Sequence, residues 1–501
     1  MNNYLRSSNI RTLAVLVSLL LSAWHALLYP IPNADAFEYA RIAHAYLDDG
    51  VAAAFSRYPS VIYPVLLGIV HQLTGLDLFV GGQLISALFF ALLVYSFITL
   101  AQLLRPTPRV GLLAALVVLA FPSLNEVRSL LIRDTPFLAL MLTAAVQLIR
   151  FGLTYRPRHA IAFVLLSLAA ALFRAEALAY LVLVPLALLF GNREQWGRNV
   201  RAVLALEAVL LAAGMAGLLA GAAMGVDFAG ALQRMLQVYW PFLRDAVSAI
   251  SAEDSPLSKA IFGEYAANFS DDSLWIFMLT GLTAVLVVTL MEAFGLPSLI
   301  LFAWSARRMP RGETTASRVL LAYALVAFLI LLGFLLLTRF LAHRYTLLFC
   351  MSCLVFLPLI IDRAWSSAGS SQRPRLWQGL LVFLLTFSFV DSHVSFHNSD
   401  AALEQASEWV QQNTRAGDAV FTNNSYIAYY SGRVEDYDKV FRYIADDAIE
   451  NTSFGTLIVL TRGRAIDEQI QRNLEFQRIV PLAQFPAGDD PEVLIFRRQG
   501  N

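Results

Sequence analysis

Carboxylates and arginines gather in four short stretches of this chain, each beside an apolar run. The first holds Asp35, Glu38, Tyr39, Arg41 and His44, with Arg57 and Tyr63 further on. The second holds Asn125, Glu126 and Arg128, then the adjacent pair Arg133 and Asp134. The third is Arg174-Ala175-Glu176, and the fourth is Arg339 with His343-Arg344-Tyr345. Ionisable groups at a membrane boundary are costly unless solvated or paired, so their placement carries information. These residue types suit one kind of chemistry. A carboxylate takes the proton of an attacking hydroxyl or amine. Guanidinium groups grip a departing phosphate through paired hydrogen bonds and meet the charge that develops on it. Each stretch also has a structural reading. Asn33 and Asp35 suit a helix start, Asp134-Thr135-Pro136 suits another, and arginines at span ends anchor lipid headgroups.

The elements that must position these residues follow from composition. Hydrophobic residues make up 58% of the 501 residues and charged residues 15%, against ~45–50% and ~25% for a soluble domain. The formal net charge is zero, so no basic field points to a nucleic-acid partner. The apolar content excludes a disordered chain. The reading is a polytopic α-helical membrane protein with about eleven spans of ~20 apolar residues. They are predicted near 11–29, 78–104, 110–124, 134–150, 159–173, 177–191, 201–224, 274–303, 318–338, 344–361 and 377–394. The apolar stretch 61–75 is too short to join them and reads as a re-entrant or surface helix. Cys350 and Cys353, the two cysteines, lie one helical turn apart inside an apolar run and read as buried thiols rather than as a redox or metal motif.

Arginine placement sets orientation. With a cytoplasmic N-terminus, the inner segments hold Arg6 and Arg11, Arg105 and Arg109, Arg150, Arg156 and Arg158, and Arg193, Arg198 and Arg201. They continue with Arg307, Arg308, Arg311 and Arg318, and with Arg363, Arg373 and Arg375, against only Glu194, Glu313 and Asp362. The first outer loop is then 30–77 and the long, acid-rich outer loop is 225–272. Residues 1–394 form the membrane domain. Residues 395–501 form a small extracytoplasmic α/β domain, with a helix at Glu404–Asn413 and strands at Ala419–Thr422, Thr456–Thr461 and Val493–Arg497. All four charged clusters fall on the outer face. Only two lysines occur among the 37 basic residues, which suits a high-GC bacterial genome.

In order, spacing and topological side, the chain resembles the GT-C superfamily of membrane glycosyltransferases, in the bacterial branch of protein mannosyltransferase-like and aminoarabinose transferase-like enzymes. The carriers are Asp35, Tyr39, Tyr46, Leu47 and Gly50, then Tyr63-Pro64 with Leu67, Leu73-Thr74-Gly75 and Gln83–Leu88. They continue with Asp134-Thr135-Pro136, Arg174-Ala175-Glu176 and His343-Arg344-Tyr345, so the resemblance covers about residues 10–360. It implies a polyprenyl-phosphate sugar donor, a site at the outer face of the bacterial inner membrane, and a lipid, glycan or protein acceptor. Asp35 matches the first acidic position and Asp134 the second, as catalytic residues. Arg57, Arg344, Arg133 and His343 would hold the donor phosphate. Tyr39, Glu38, Tyr63, Arg174 and Glu176 would contact substrate. Two departures matter: Gln83 stands where many relatives carry arginine, and Ala36 follows Asp35 where some carry a second acid. The second departure weakens the case for a divalent cation without settling it. The rival functions are a surface-polysaccharide polymerase or ligase, and a flippase or transporter of a lipid-linked glycan. Against the latter, no internal repeat is visible.

Overall fold

The computed structural model describes residues 2–58, 60–190, 196–223, 273–305, 314–369, 373–394, 401–415, 417–431, 451–463, 466–468, 480–488 and 490–498, with isolated positions between 230 and 259. Most of the expected outer loop 225–272 therefore lies outside the described residues. The chain divides into two compact units, Met1–Leu27 with Ala45–Val394, and Leu28–His44 with Ser395–Asn501. The second unit thus takes in a piece of the first outer loop as well as the C-terminal segment.

The first unit is helical. Its helices are α1 (Asn2–Leu28), the C-terminal part of α2 (Ala34–Asp49), α3 (Val51–Arg57), α4 (Ile62–Thr74), α5 (Leu78–Leu104), α6 (Pro108–Leu119), α7 (Pro122–Glu126), α8 (Asp134–Thr154), α9 (Pro157–Phe173) and α10 (Ala177–Leu183). Then come α11 (Trp196–Ala223), α12 (Leu274–Phe294), α13 (Leu296–Ser305), α14 (Thr315–Thr338), α15 (Leu347–Leu354), α16 (Leu357–Gly369) and α17 (Pro374–His393). Local chemistry starts and stops them. The Asp77 carboxylate accepts from the N–H groups of Phe79 (2.8 Å) and Val80 (3.4 Å) and caps α5. Thr107 caps α6 with Pro108 at its first position. Thr314 and Ser317 form a reciprocal capping box on α14. Gly295, at φ 70°, ends α12 in a conformation that L side chains resist.

Among the described residues, seven helices are long and apolar enough to cross a membrane. They match seven of the eleven expected spans. An eighth, the run 344–361, is a pair of helices bent by 49°. The remaining three runs are shorter helices, Pro108–Leu119, Pro157–Phe173 and Ala177–Phe190. Ile62–Thr74, the stretch read as re-entrant or surface, is also a short apolar helix. At the centre are α5 and α8. Their most apolar stretches are each 61% buried, against 17% for those of α11 and α12. A hydrogen bond of 2.8 Å between the Ser96 and Thr143 hydroxyls joins the two central helices. Cys350 is buried and neither cysteine is in a disulfide.

In the second unit, α18 (Ala401–Asn413) and α19 (Ser425–Ser431) accompany β1 (Val420–Thr422), β2 (Leu457–Thr461), β3 (Ala483–Phe485) and β4 (Val493–Arg497). The sheet order is β1-β2-β4-β3, with β1 parallel to β2 and the other pairs antiparallel. The central strand β2 is buried on both faces, as its unbroken Leu-Ile-Val-Leu run requires. Ala406, Val410, Ile427, Val459 and Ile495 fill one side, and Ile458, Leu460, Ile466 and Phe496 the other. Phe37 from the first turns of α2 is 2% exposed. Its ring lies 6.0, 5.3 and 6.3 Å from those of Tyr426, Tyr429 and Tyr430.

Candidate active site

Within the first unit, one cavity of about 420 Å³ collects Asp134, Arg174, Glu176 and Arg344. Asp134 is the first residue of α8 and is 5% exposed. Arg174 follows the last residue of α9 in an extended conformation (φ −146°, ψ 119°), which turns the chain off the helix axis. Its Nη1 donates to Asp134 and its Nε to Glu176. Arg344 stands in a single 3-10 turn, His343–Thr346, before α15. The ring of Tyr345 serves both arginines: the Arg174 guanidinium is 4.7 Å from its centroid and that of Arg344 is 5.6 Å. The rest of the lining is largely apolar, with Phe137, Leu138, Ile330, Leu331, Phe334 and Leu337.

The electrostatics follow from burial and pairing. Burial alone would lower the pKa of Arg174; Asp134 and Glu176 outweigh it and hold the group well above the usual guanidinium range. Its charge is therefore fixed and already balanced twice. Asp134 and Glu176 are both committed to Arg174, and no group of three or more His, Cys, Asp or Glu side chains that could hold a metal gathers among the described residues. The cavity as built does not fit a divalent cation.

The other predicted residues lie elsewhere. Asp35, in the first turn of α2 and partly exposed, belongs to the second unit, as do Glu38 and Tyr39. Glu38 is exposed and pairs with Arg41 at 2.8 Å, while Tyr39 is 8% exposed. Arg57 is exposed in the last turn of α3. The Arg133 guanidinium is 5.5 Å from the Tyr58 ring centroid. Tyr63 is completely buried within α4. His343 is exposed and hydrogen-bonds Glu292 at 3.0 Å. Three residues had no assigned role at the sequence level. Tyr345 sits in the quoted His-Arg-Tyr motif. Tyr180 lies four residues beyond Glu176, on the same helical face, and also lines the cavity. Nothing local marks Glu292.

No protein-family model and no curated protein matches the sequence. Solved structures do match. ArnT from Cupriavidus metallidurans bound to undecaprenyl phosphate aligns with a TM-score of 0.52 at 12% identity, over 98% of this chain and 99% of that one. The same ArnT in the apo state gives 0.51 at 12% identity, over 98% of each chain. The Archaeoglobus fulgidus oligosaccharyltransferase in complex with Zn and sulfate gives 0.50 at 12% identity, over 89% of this chain and 68% of that one. The fold is the GT-C fold of these proteins, here with a small sheet near the C-terminus. With its apolar helices, the chain is a multi-pass membrane protein.

Proposed function

We propose that this protein is a membrane glycosyltransferase. It moves a sugar from a polyprenyl-phosphate donor to a lipid, glycan or protein acceptor at the outer face of a bacterial inner membrane, with its N-terminus cytoplasmic. The observation that carries the reading is the cavity lined by Arg174 and Arg344, with Asp134 and Glu176, and otherwise by apolar side chains, a chemistry suited to an isoprenoid phosphate. The GT-C fold, shared with an ArnT solved with undecaprenyl phosphate, supports it. In the reaction the acceptor oxygen bonds to the anomeric carbon as the bond from that carbon to the phosphate oxygen breaks. The acceptor proton passes to Asp35, and the electron pair leaves with the phosphate, whose charge Arg344 meets. Asp134 and Glu176 hold Arg174 in place and balance its charge, so that its guanidinium is positioned without depending on ligand.

The test is transfer from labelled polyprenyl-phosphate sugar in membranes carrying the protein. Wild type transfers label, and Asp35→Asn lowers the rate by about 100-fold or more, in the range expected for loss of a general base. Full transfer by Asp35→Asn would remove Asp35 from the reaction.

A further inference from the structure

At the far end of α8 from Asp134 lies a second cavity, of about 380 Å³. At 1.5 Å per residue, α8 separates the two by about 30 Å. Phe151, Ile161 and Val209 are among its apolar lining, and Tyr155, Arg198 and Arg201 form its polar side. Tyr155 is tightly placed. It closes α8 at φ 54°, a left-handed conformation unfavourable for a tyrosine. Its hydroxyl donates to Oδ1 of buried Asn199 at 2.7 Å, and the Arg198 guanidinium is 3.9 Å from its ring centroid. The ring thereby restrains a guanidinium at the cavity before any ligand arrives.

Three further features favour an anion there. The 17-residue α9 starts at Pro157, on the cavity lining, and the 28-residue α11 starts at Trp196, with Arg198 and Arg201 in its first two turns. Both helices direct the positive ends of their dipoles to this end of the bundle. Exposed Arg156 and Arg158 flank Pro157 in the chain. Among the described residues no carboxylate lines the cavity. Further along the same two helices, Leu165 and Leu211 are exposed, a surface suited to acyl chains.

We propose that this cavity binds the phosphate of an acyl phospholipid with a net-negative headgroup, taken from the leaflet at this end of the bundle. The arginines take the phosphate, and the apolar wall takes the first carbons of the chains. A zwitterionic headgroup brings its own cation to the arginines and binds less well. Free phosphate gains nothing from the apolar wall. The site is separate from the glycosyl-transfer reading and does not depend on it.

The test uses the full chain in detergent, with dioleoylphosphatidylglycerol, dioleoylphosphatidylcholine or inorganic phosphate as probe and bound lipids counted by native mass spectrometry. Wild type retains phosphatidylglycerol at least tenfold over phosphatidylcholine. The double variant Arg198→Gln/Arg201→Gln loses about tenfold of that retention, while Leu204→Ala, on an exposed face of α11, keeps it. The single variant Arg201→Gln, which leaves the Arg198–Tyr155 contact intact, shows a partial loss, so the result stands even if the double variant unfolds. Equal retention of the two lipids, or undiminished phosphatidylglycerol in Arg201→Gln, overturns the proposal. Displacement of bound lipid by millimolar inorganic phosphate also overturns it, because the ligand is then a free anion.

Discussion

Arg174 and Arg344 share one cavity. The Arg174 side chain is 14% exposed and held by two carboxylates, so its removal leaves buried Asp134 and half-buried Glu176 without their shared cation. Breaking such a cluster costs about 3–5 kcal/mol. Arg174→Ala is therefore expected to lower the thermal midpoint in detergent sharply, and Asp134→Asn/Glu176→Gln in the same background is expected to restore part of it. Arg344 lines the same cavity beside the Tyr345 ring, and Arg344→Ala is expected to act on the donor. The donor KM should rise about tenfold or more while the thermal midpoint changes little, as titration of donor in the transfer assay reads out. A fall in stability as large as that of Arg174→Ala would make Arg344 structural instead. The sequence marked the cavity charges through one physical rule, that ionisable residues beside spans need a reason. It could not pair them, because Asp134 and Arg174 are 40 residues apart and meet only through the packing of α8 against α9.

At the scale of elements, apolar length located the seven long spans among the described residues, and other expected runs fall on shorter or broken helices, for identifiable reasons. The run 110–124 is interrupted because α6 ends at Leu119 and Pro122 opens a new helix. The run 177–191 tightens into a 3-10 segment, Val184–Phe190, with Pro185 unable to donate a backbone hydrogen bond. The run 274–303 is cut at Gly295, and 344–361 bends where α15 gives way to α16. Arg128 is another element-level device that sequence alone left beside the catalytic candidates. It is 3% exposed and donates to the Ser18 carbonyl (3.0 Å), the Ser18 hydroxyl (3.1 Å) and the Ser22 hydroxyl (2.9 Å), while Nε and Nη2 reach Asn125. Burial pushes its pKa down to about 9, which still leaves it protonated at pH 7. The most apolar stretch of α1 is only 22% buried, so this polar tie supplies much of what fixes the helix in place. Arg128→Met is expected to destabilise the first unit by about 2–3 kcal/mol, as several hydrogen bonds to a charged group are lost together. Faster protease cleavage near residue 28 would report it. Ser18→Ala/Ser22→Ala should show a smaller shift in the same direction, and no shift in either variant would remove Arg128 as the tie.

At the scale of the molecule, the unit that contains the sheet also takes in a piece of the first outer loop. Asp35 is carried by the unit that contains the sheet, whereas Asp134, Arg174, Glu176 and Arg344 belong to the other. The sheet itself was legible where hydrophobic runs are long. β1, β2 and β4 fall on predicted strands, while β3, the three residues Ala483–Phe485, carries too little pattern to be found. What no local pattern could reveal is that residues 28–44 complete this unit. Phe37 is the link, because its buried ring meets three tyrosines from α19 or its immediate neighbourhood. Truncating a buried phenylalanine costs about 3–5 kcal/mol, a large part of the ~5–15 kcal/mol that holds a typical domain together. Phe37→Ala is therefore expected to loosen the whole second unit, although the substitution lies more than 400 residues before β2 in the chain. Hydrogen exchange followed by mass spectrometry is the measurement. The amides of β2, buried on both faces, should exchange at least tenfold faster in Phe37→Ala, while those of central α5 in the first unit keep their protection. If residues 28–44 were only a linker, β2 would be equally protected in both proteins, and the assignment of Asp35 to this unit would fail with it.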